Sequence, residues 1–247
     1  MSQRPPAIFI HGFIGTLEID GYAPPHAAPP LLGYGAHRDT PAERIALPEQ
    51  VAHLRAFVDA QPGMERVDLV GHSVGGAIAM LFAHAHPERV RRIVSIEGNF
   101  TLDDAFWSAS VGRMTAHEAE AMLAGFRADP ARWLGGAVAN VTPTMARTAA
   151  GWLDHQPAAT LRAMGRSVVD TTGRAAYLDA VEAVFARHRV CLVAGERSRG
   201  GWHVPGWARE RCAAYEIVPG SGHLPAIEQP AALAAVLDRF FGEADAA

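Results

Sequence analysis

The sequence predicts an α/β fold: a mostly parallel, doubly wound sheet with a run of helices inserted before its last two strands. Three observations support this prediction. Short apolar segments rich in β-branched residues alternate with segments of helical periodicity along most of the chain. The alternation stops between residues 100 and 188, where only helical patterns occur. A strand, a tight turn and a helix meet at residues 71–75, which read Gly-His-Ser-Val-Gly.

Five apolar segments are expected to form strands of this sheet. Residues that are hydrophobic on both faces are typical of parallel strands covered by helices on either side. The segments 7–11 and 190–194 are of this kind, since neither contains an acidic residue, a lysine or an arginine. The full set of expected strands is 7–11, 67–70, 90–96, 190–194 and 214–218.

Helices are expected between these strands, with prolines and glycines marking their ends. The prolines of residues 16–30 exclude a long helix there. Residues 41–60 carry apolar side chains at helical spacing and predict one amphipathic helix or two short ones. Further helices are expected at 74–86, 204–211 and 229–241.

The charge of the chain excludes several classes of partner. Its 22 Lys and Arg nearly balance its 26 Asp and Glu, so the formal net charge of the 247 residues is −4. No basic stripe indicates nucleic acid, and no polybasic run indicates an anionic membrane. No segment approaches the roughly 20 apolar residues of a membrane span. We therefore expect a small-molecule substrate, no nucleic-acid or membrane partner, and a monomer or homodimer.

The cysteines and the first residues bear on location. Cys191 lies in an apolar segment and Cys212 ends a helical one, so neither indicates a disulfide framework. Residues 1–6 lack the apolar core of a signal peptide. The expectation is a cytoplasmic protein. No cofactor and no metal site are expected.

The functional prediction depends on the turn around Ser73. The serine stands at the apex, with Gly71 and Gly75 two residues away on either side. Glycines leave room where a strand and a helix crowd together, and a strained backbone lifts the hydroxyl clear of the sheet. The N–H groups that begin the following helix point toward the same place.

Three motifs occur along the chain in an order that resembles the α/β-hydrolase family. They are His11-Gly12, the turn at 71–75 and Gly222-His223. The resemblance implies a further strand at Leu31–Gly35, followed by a glycine turn. The antiparallel hairpin that usually begins the family's sheet is expected to be missing, because only six residues precede the strand at 7–11.

The same resemblance implies a division of the chain. Residues 1–99 and 189–247 are expected to form the hydrolase core. Residues 100–188 are expected to form a helical cap, or lid, over the sheet. Aromatic residues in that cap are expected to line its underside, because a cap has little else to bury there.

A serine hydroxyl needs a base within hydrogen-bond reach, because it is a poor nucleophile at neutral pH. His223 is the expected base, since it lies in a glycine-rich loop after the last strand, at the sheet edge that also carries Ser73. His72 is expected to shape the turn. His11 is expected to hold the His-Gly turn by hydrogen bonds.

The base in turn needs a carboxylate. The family usually carries it after the strand at 190–194, but position 198 is a serine here. Some members carry it one strand earlier, where this chain has Glu97. A glutamate that ends an apolar strand needs a partner, so Glu97 is the expected acid. In the alternative interpretation, its carboxylate anchors the first turn of the insertion through main-chain N–H groups. The alternative acids left open are Glu196, Asp103 and Asp104.

The resemblance also implies an oxyanion hole made by the main-chain N–H groups of Phe13 and Val74. The residues expected to line the substrate pocket are Phe13, Ile14, Phe106, Trp107, Trp133, Trp152 and Leu224.

These residues predict a serine hydrolase that forms an acyl-enzyme from a carboxylic ester, thioester or lactone with a small to medium apolar acyl group. Serine at position 73 argues against haloalkane dehalogenase or epoxide hydrolase chemistry, for which relatives use an aspartate at that position. Two alternatives stay open: cleavage of a carbon–carbon bond or lyase chemistry on the same scaffold, and a homologue that only binds a ligand. Cap arginines that bind a carboxylate would favour the first alternative, and the candidates are Arg113, Arg127, Arg147 and Arg162.

Overall fold

The computed structural model describes residues 4–244 and contains a parallel sheet of six strands. The strands are β1 (Ala7–Ile10), β2 (His26–Ala27), β3 (Val67–His72), β4 (Val90–Ile96), β5 (Arg189–Gly195) and β6 (Ala214–Val218). They lie in the order β2-β1-β3-β4-β5-β6, and each neighbouring pair is parallel. The expected parallel α/β sheet is confirmed. No strand precedes β1 within the described residues.

Helices follow most of the strands. They are α1 (Leu47–Asp59), α2 (Val74–Ala85), α3 (Phe106–Arg113), α4 (Ala116–Ala128), α5 (Pro130–Leu134), α6 (Pro143–Asp154), α7 (Ala158–Thr172), α8 (Ala175–Arg187), α9 (Gly206–Arg211), α10 (Pro225–Glu228) and α11 (Pro230–Gly242). The segment 41–60 is divided, because a short 3₁₀ helix at Ala42–Arg44 precedes α1. Within residues 4–244, no helix combines the length and the apolar character needed to cross a bilayer.

The two faces of the sheet bury separate hydrophobic clusters, as side chains that alternate along a strand require. In β1, Ile8 and Ile10 belong to a cluster that includes residues of α1, α2 and α8. Ala7 and Phe9 point the other way, into a cluster that includes the buried face of α11. Helices therefore cover both faces, which confirms the doubly wound arrangement.

Six helices, α3 to α8, lie between β4 and β5. Helix α3 packs against α7, and α5 packs against α6. Helix α8 packs against α2 instead, and its Tyr177 and Val181 join the large core cluster on that face of the sheet. The division of the chain into a core and a cap at residues 100–188 stays a prediction.

The expected strand at Leu31–Gly35 is wrong. The strand beside β1 is His26–Ala27, and the later segment forms a turn with Tyr34 N–H bonded to Leu31 O. Side chains take the main-chain groups that a strand would pair: the Leu31 N–H meets His11 Nε2, and Gln50 bonds both the N–H and the C=O of Leu32. These bonds leave the segment no ladder partner.

The glycines around Ser73 allow strand and helix to approach closely. A Cβ at Gly75 would lie 2.1 Å from Ile10 O, at the end of β1. A Cβ at Gly71 would lie 2.4 Å from Gly75 O. Both obstacles are main-chain atoms, which cannot rotate away as a side chain can.

We expect Gly75→Ala to lower the free energy of unfolding by about 3 kcal/mol or more, because the added methyl group must displace the end of β1. Gly125→Ala is the matched control in another helix, since nothing lies within 4 Å of the added Cβ. That variant should gain about 0.5–1 kcal/mol. Urea unfolding monitored by circular dichroism measures both, and equal stabilities of the two variants would contradict the prediction.

Candidate active site

Ser73 lies between β3 and α2 in a strained main-chain conformation. Its φ of 54° and ψ of −120° place a residue with a side chain where glycine is the usual occupant. The turn is held from both sides, because the Ser73 N–H donates to Ile96 O at 3.0 Å and Ser73 O accepts from the Asn99 N–H at 3.2 Å. Strain that neighbouring bonds maintain in this way is concentrated at functional sites.

Glu97 is the second residue outside glycine with a positive φ in residues 4–244, at 41°. It follows β4 directly, and its N–H still pairs with Val193 O of β5 at 2.9 Å. The side chain is buried, with its carboxylate aimed at the loop after β6. The two strained residues thus stand at the carboxyl ends of neighbouring strands.

His223 lies in the loop after β6 and bonds the Glu97 carboxylate. Its Nδ1 donates to Glu97 Oε2 at 2.7 Å, so the acceptor lone pair of the neutral ring is on Nε2. The His223 main-chain carbonyl accepts a hydrogen bond from His72 Nε2 at 2.8 Å. The ring is therefore fixed at its carboxylate side and its main chain is fixed by the residue next to Ser73.

The other carboxylate oxygen of Glu97 has two donors. The Gly195 N–H donates to Oε1 at 2.8 Å, and Ser198 Oγ donates to the same oxygen. Burial raises the pKa of Glu97, but the hydrogen bonds from His223, Ser198 and Gly195 outweigh it and hold that pKa below its ordinary value. The side chain is therefore a carboxylate throughout the neutral range.

Ser198 lines the cavity and bonds Glu97, a contact that the sequence does not predict. It occupies the position at which the resemblance implies a carboxylate, and its hydroxyl instead donates to the carboxylate of Glu97 at the end of the neighbouring strand. The signal in the sequence was the absence of an acid at this position. The missing carboxylate at position 198 excludes an acid there, but it does not predict that Ser198 bonds Glu97.

The alternative acids are engaged elsewhere. Glu196 is exposed, and its Oε2 accepts from the Gly220 N–H at 2.9 Å. Asp103 is exposed as well. Asp104 accepts from the N–H groups of Phe100, Thr101 and His203 and so anchors the chain after β4. The structure brings Glu97, and none of these three, to His223.

Two further histidines near the site are held neutral. Burial lowers the pKa of His11 to about 4, and its Nδ1 donates to Gly12 O at 2.9 Å. Loss of hydration, with a smaller contribution from His223, lowers the pKa of His72 to about 3. The main chain at Gly12 lies against the Ser73 turn, since a Cβ at Gly12 would stand 3.2 Å from Ser73 Cβ. His11 and His72 thus shape the site, as expected.

A cavity of about 640 Å³ lies over Ser73, Glu97 and His223. The seven residues named as candidate pocket residues line this cavity, together with Val74, and its role as the substrate pocket stays a prediction. Phe126 and Trp202 line it too, and no local pattern distinguishes these two from the other aromatic residues of the chain. Phe106 is 74% exposed and stands at the mouth, whereas Phe13 is 4% exposed and packs edge-on against Trp107 with ring centroids 5.3 Å apart.

The cavity is not lined by the four candidate carboxylate ligands, Arg113, Arg127, Arg147 and Arg162. Arg127 pairs with Asp154 and donates to the Leu153 carbonyl, and Arg162 donates to Met114 O at 2.8 Å. Arg197 does line the cavity, but its guanidinium bonds Glu228 and Gly220 O. Within the described residues, no group of three or more His, Cys, Asp and Glu is arranged to hold a metal ion.

The burial of His11 predicts a dependence of stability on pH. Its pKa in the folded protein, about 4, lies below the roughly 6.5 of an unfolded chain, so the unfolded state binds more protons between these values. The contribution of neutral His11 to the free energy of unfolding is present in full above about pH 6.5 and is lost as the pH falls toward the folded-state pKa of about 4. We expect it to contribute about 2 kcal/mol to the loss of unfolding free energy between pH 7.5 and pH 5.

Urea unfolding of His11→Asn at both pH values measures this contribution, and the difference between them should be about 2 kcal/mol smaller than in the wild type. Comparing pH values within one variant removes any constant loss of stability. His117→Asn, on the exposed face of α4, is the control and should keep the wild-type difference. An unchanged difference in His11→Asn would contradict the prediction.

The sequence model described as "Alpha/beta hydrolase family" matches residues 7–236. A solved haloalkane dehalogenase loop variant from Bradyrhizobium elkanii superposes with a TM-score of 0.72 at 19% sequence identity, covering 98% of this chain and 90% of that one. At this identity the likeness concerns the fold.

Two curated proteins share shorter segments. The 2-hydroxy-6-oxo-2,4-heptadienoate hydrolase of Pseudomonas putida is 42% identical over 67 residues, which are 27% of this chain and 24% of that protein. Lipase LipV of Mycobacterium tuberculosis is 42% identical over 79 residues, which are 32% of this chain and 29% of the lipase. The matched segments thus span about a quarter of the length of these relatives.

Proposed function

Since this chain belongs to the alpha/beta hydrolase family, we propose that it is a serine hydrolase that cleaves a carboxylic ester, thioester or lactone. One observation carries the proposal: a His223–Glu97 hydrogen bond, with the carboxylate ionised, faces a cavity that also exposes Ser73 at a strained turn. A nucleophile, a base and an orienting carboxylate are the parts that acyl transfer to serine needs.

In this mechanism, His223 Nε2 takes the proton of Ser73 as Oγ attacks the carbonyl carbon. Glu97 holds the imidazole in the tautomer with Nδ1–H and stabilises the imidazolium that forms. The N–H groups of Phe13 and Val74 receive the oxyanion of the tetrahedral intermediate. Collapse expels the alcohol or thiol, which takes the proton from His223, and water then releases the acid from Ser73 by the same steps.

The walls of the cavity favour an apolar acyl group of small to medium size. Aromatic rings of Phe13, Trp107, Phe126 and Trp133 contact one another in a row beside the cavity. Ligand sites of this kind bind mainly by burying apolar surface and orient the ligand with a few polar groups. We further propose that the helices of residues 100–188 that carry three of these rings act as the cap.

Cleavage of a carbon–carbon bond is the second candidate, favoured by the similarity to a 2-hydroxy-6-oxo-2,4-heptadienoate hydrolase. That substrate carries a carboxylate, for which a binding site normally offers an unpaired cation. The arginine in this cavity, Arg197, is instead bonded to the Glu228 carboxylate. The ester reaction therefore ranks first, and lyase chemistry or ligand binding alone ranks below both.

We expect a fluorophosphonate probe to label the wild type and not Ser73→Ala, because only an activated hydroxyl attacks the phosphorus. Hydrolysis of p-nitrophenyl butyrate should fall with the same substitution by at least about 10⁴-fold. Ser110→Ala, in α3 outside the cavity, is the control and should label normally. A wild type that resists labelling would favour a ligand-binding protein. Faster turnover of a vinylogous diketo acid than of esters, thioesters and lactones would favour carbon–carbon cleavage.

Glu97→Gln should lower kcat for p-nitrophenyl butyrate by roughly 10²–10⁴-fold, because the amide stabilises the wrong imidazole tautomer and no imidazolium. Glu196→Gln is the matched control and should stay within about twofold of the wild type, since Glu196 contacts Gly220 and not His223. Steady-state kinetics on variants of verified thermal stability measure both. The reverse ranking would assign the acid to Glu196.

A further inference from the structure

Residues 13–16, the oxyanion loop, are held in place by side chains from distant parts of the chain. Tyr34 Oη donates to Phe13 O at 2.9 Å. The Gly15 N–H donates to Gln156 Oε1 at 3.2 Å, and Trp152 Nε1 donates to Thr16 Oγ1 at 3.1 Å. Two of the three bonds therefore come from the end of α6 and the residues directly after it.

The Gln156 side chain has this one hydrogen bond. It is fully buried, and its Nε2 has no partner among the described residues. A buried amide with an unpaired N–H costs about 1–3 kcal/mol of stability. Its carbonyl oxygen, in contrast, is the acceptor of a loop N–H that otherwise has none. The arrangement favours placement of the loop over stability.

Trp152 restrains the same loop by contact. A Cβ at Gly15, whose φ is 89°, would lie 2.4 Å from Trp152 Cγ, so the ring lies directly against the loop main chain. Trp152 also lines the cavity. Behind it, Arg127 donates to the carbonyls of Leu153 and Gln156 at 3.0 and 3.1 Å, which fixes the end of α6.

We propose that Gln156 and Trp152 are positioning residues that aim the Phe13 N–H at the oxyanion. The inference rests on the proposed ester hydrolysis and adds to it a role for the residues at the end of α6. The Phe13 N–H lies two residues before the Gly15 N–H that Gln156 holds, and Tyr34 fixes the Phe13 carbonyl from the other side. A small rotation of the loop main chain turns the donor away from the developing negative charge.

The role predicts which kinetic constant changes. An oxyanion donor strengthens its bond only as the carbonyl oxygen becomes charged, so misplacing it lowers kcat and leaves KM almost unchanged. A group that merely stabilised the fold would change neither constant in the fraction of molecules that stay folded. A phenylboronic acid adduct of Ser73 mimics the tetrahedral state and reports the same donor without turnover.

The test uses Gln156→Met, which keeps the length of the side chain and removes the acceptor. We expect kcat for p-nitrophenyl butyrate to fall about tenfold or more and the inhibition constant of phenylboronic acid to rise by a similar factor, with KM within twofold. Gln156→Glu keeps an acceptor for the Gly15 N–H but buries a charge, so it should be less stable than Gln156→Met and yet more active.

Gln50→Met is the matched control, because Gln50 is equally buried and bonds a different loop through Leu32. It should lose stability and keep kcat within twofold. Thr16→Val removes the Trp152 acceptor without touching the cavity lining and should lower kcat about threefold, which keeps the proposal testable if Gln156→Met does not fold.

Two results would overturn the inference in distinguishable ways. An active wild type with unchanged kcat and boronic acid affinity in Gln156→Met and Thr16→Val would overturn the positioning role alone. A wild type with neither ester turnover nor fluorophosphonate labelling would overturn the proposed function, and the positioning role with it.

Discussion

The hydrogen bond between Glu97 and His223 is the interaction around which this site is arranged. It joins residues 126 positions apart, at the ends of strands that have another strand between them. To reach it, Glu97 adopts a positive φ that costs energy, and the Gly195 N–H and Ser198 hydroxyl bond its second oxygen. The strained residue thus lies at the end of β4, and donors at or after the ends of β5 and β6 bond its carboxylate.

Ser73 follows the same physical logic on the neighbouring strand. Its strained turn is possible because β3 and the start of α2 lie in close contact with each other at Gly71, and α2 with the end of β1 at Gly75. A methyl group at either glycine would collide with a main-chain carbonyl oxygen. Parallel strands end at one edge, so Ser73 after β3 and Glu97 after β4 become neighbours although they lie apart in the sequence. The architecture therefore brings the chemistry together before side-chain packing adds detail.

The sequence was informative where local patterns determine structure. The Gly-His-Ser-Val-Gly turn, the apolar strands and the glycine-rich loop around His223 each carry their signal within a few residues. It failed at Leu31–Gly35, because side chains of His11 and Gln50 take the main-chain groups there. It was also silent on the contact of Gln156 with Gly15, since a bond between residues 141 positions apart leaves no periodicity or motif to read.

The contacts of α6 with the oxyanion loop have a consequence for how proteins of this design diversify. Trp152 both lines the cavity and lies against Gly15 of that loop. The helices over the cavity are therefore not interchangeable. A replacement that changes the cavity lining at Trp152 also removes the contacts that hold residues 15 and 16. We therefore expect that replacing α6 by the corresponding helix of a homologue requires compensating changes at residues 13–16 to keep that loop in place.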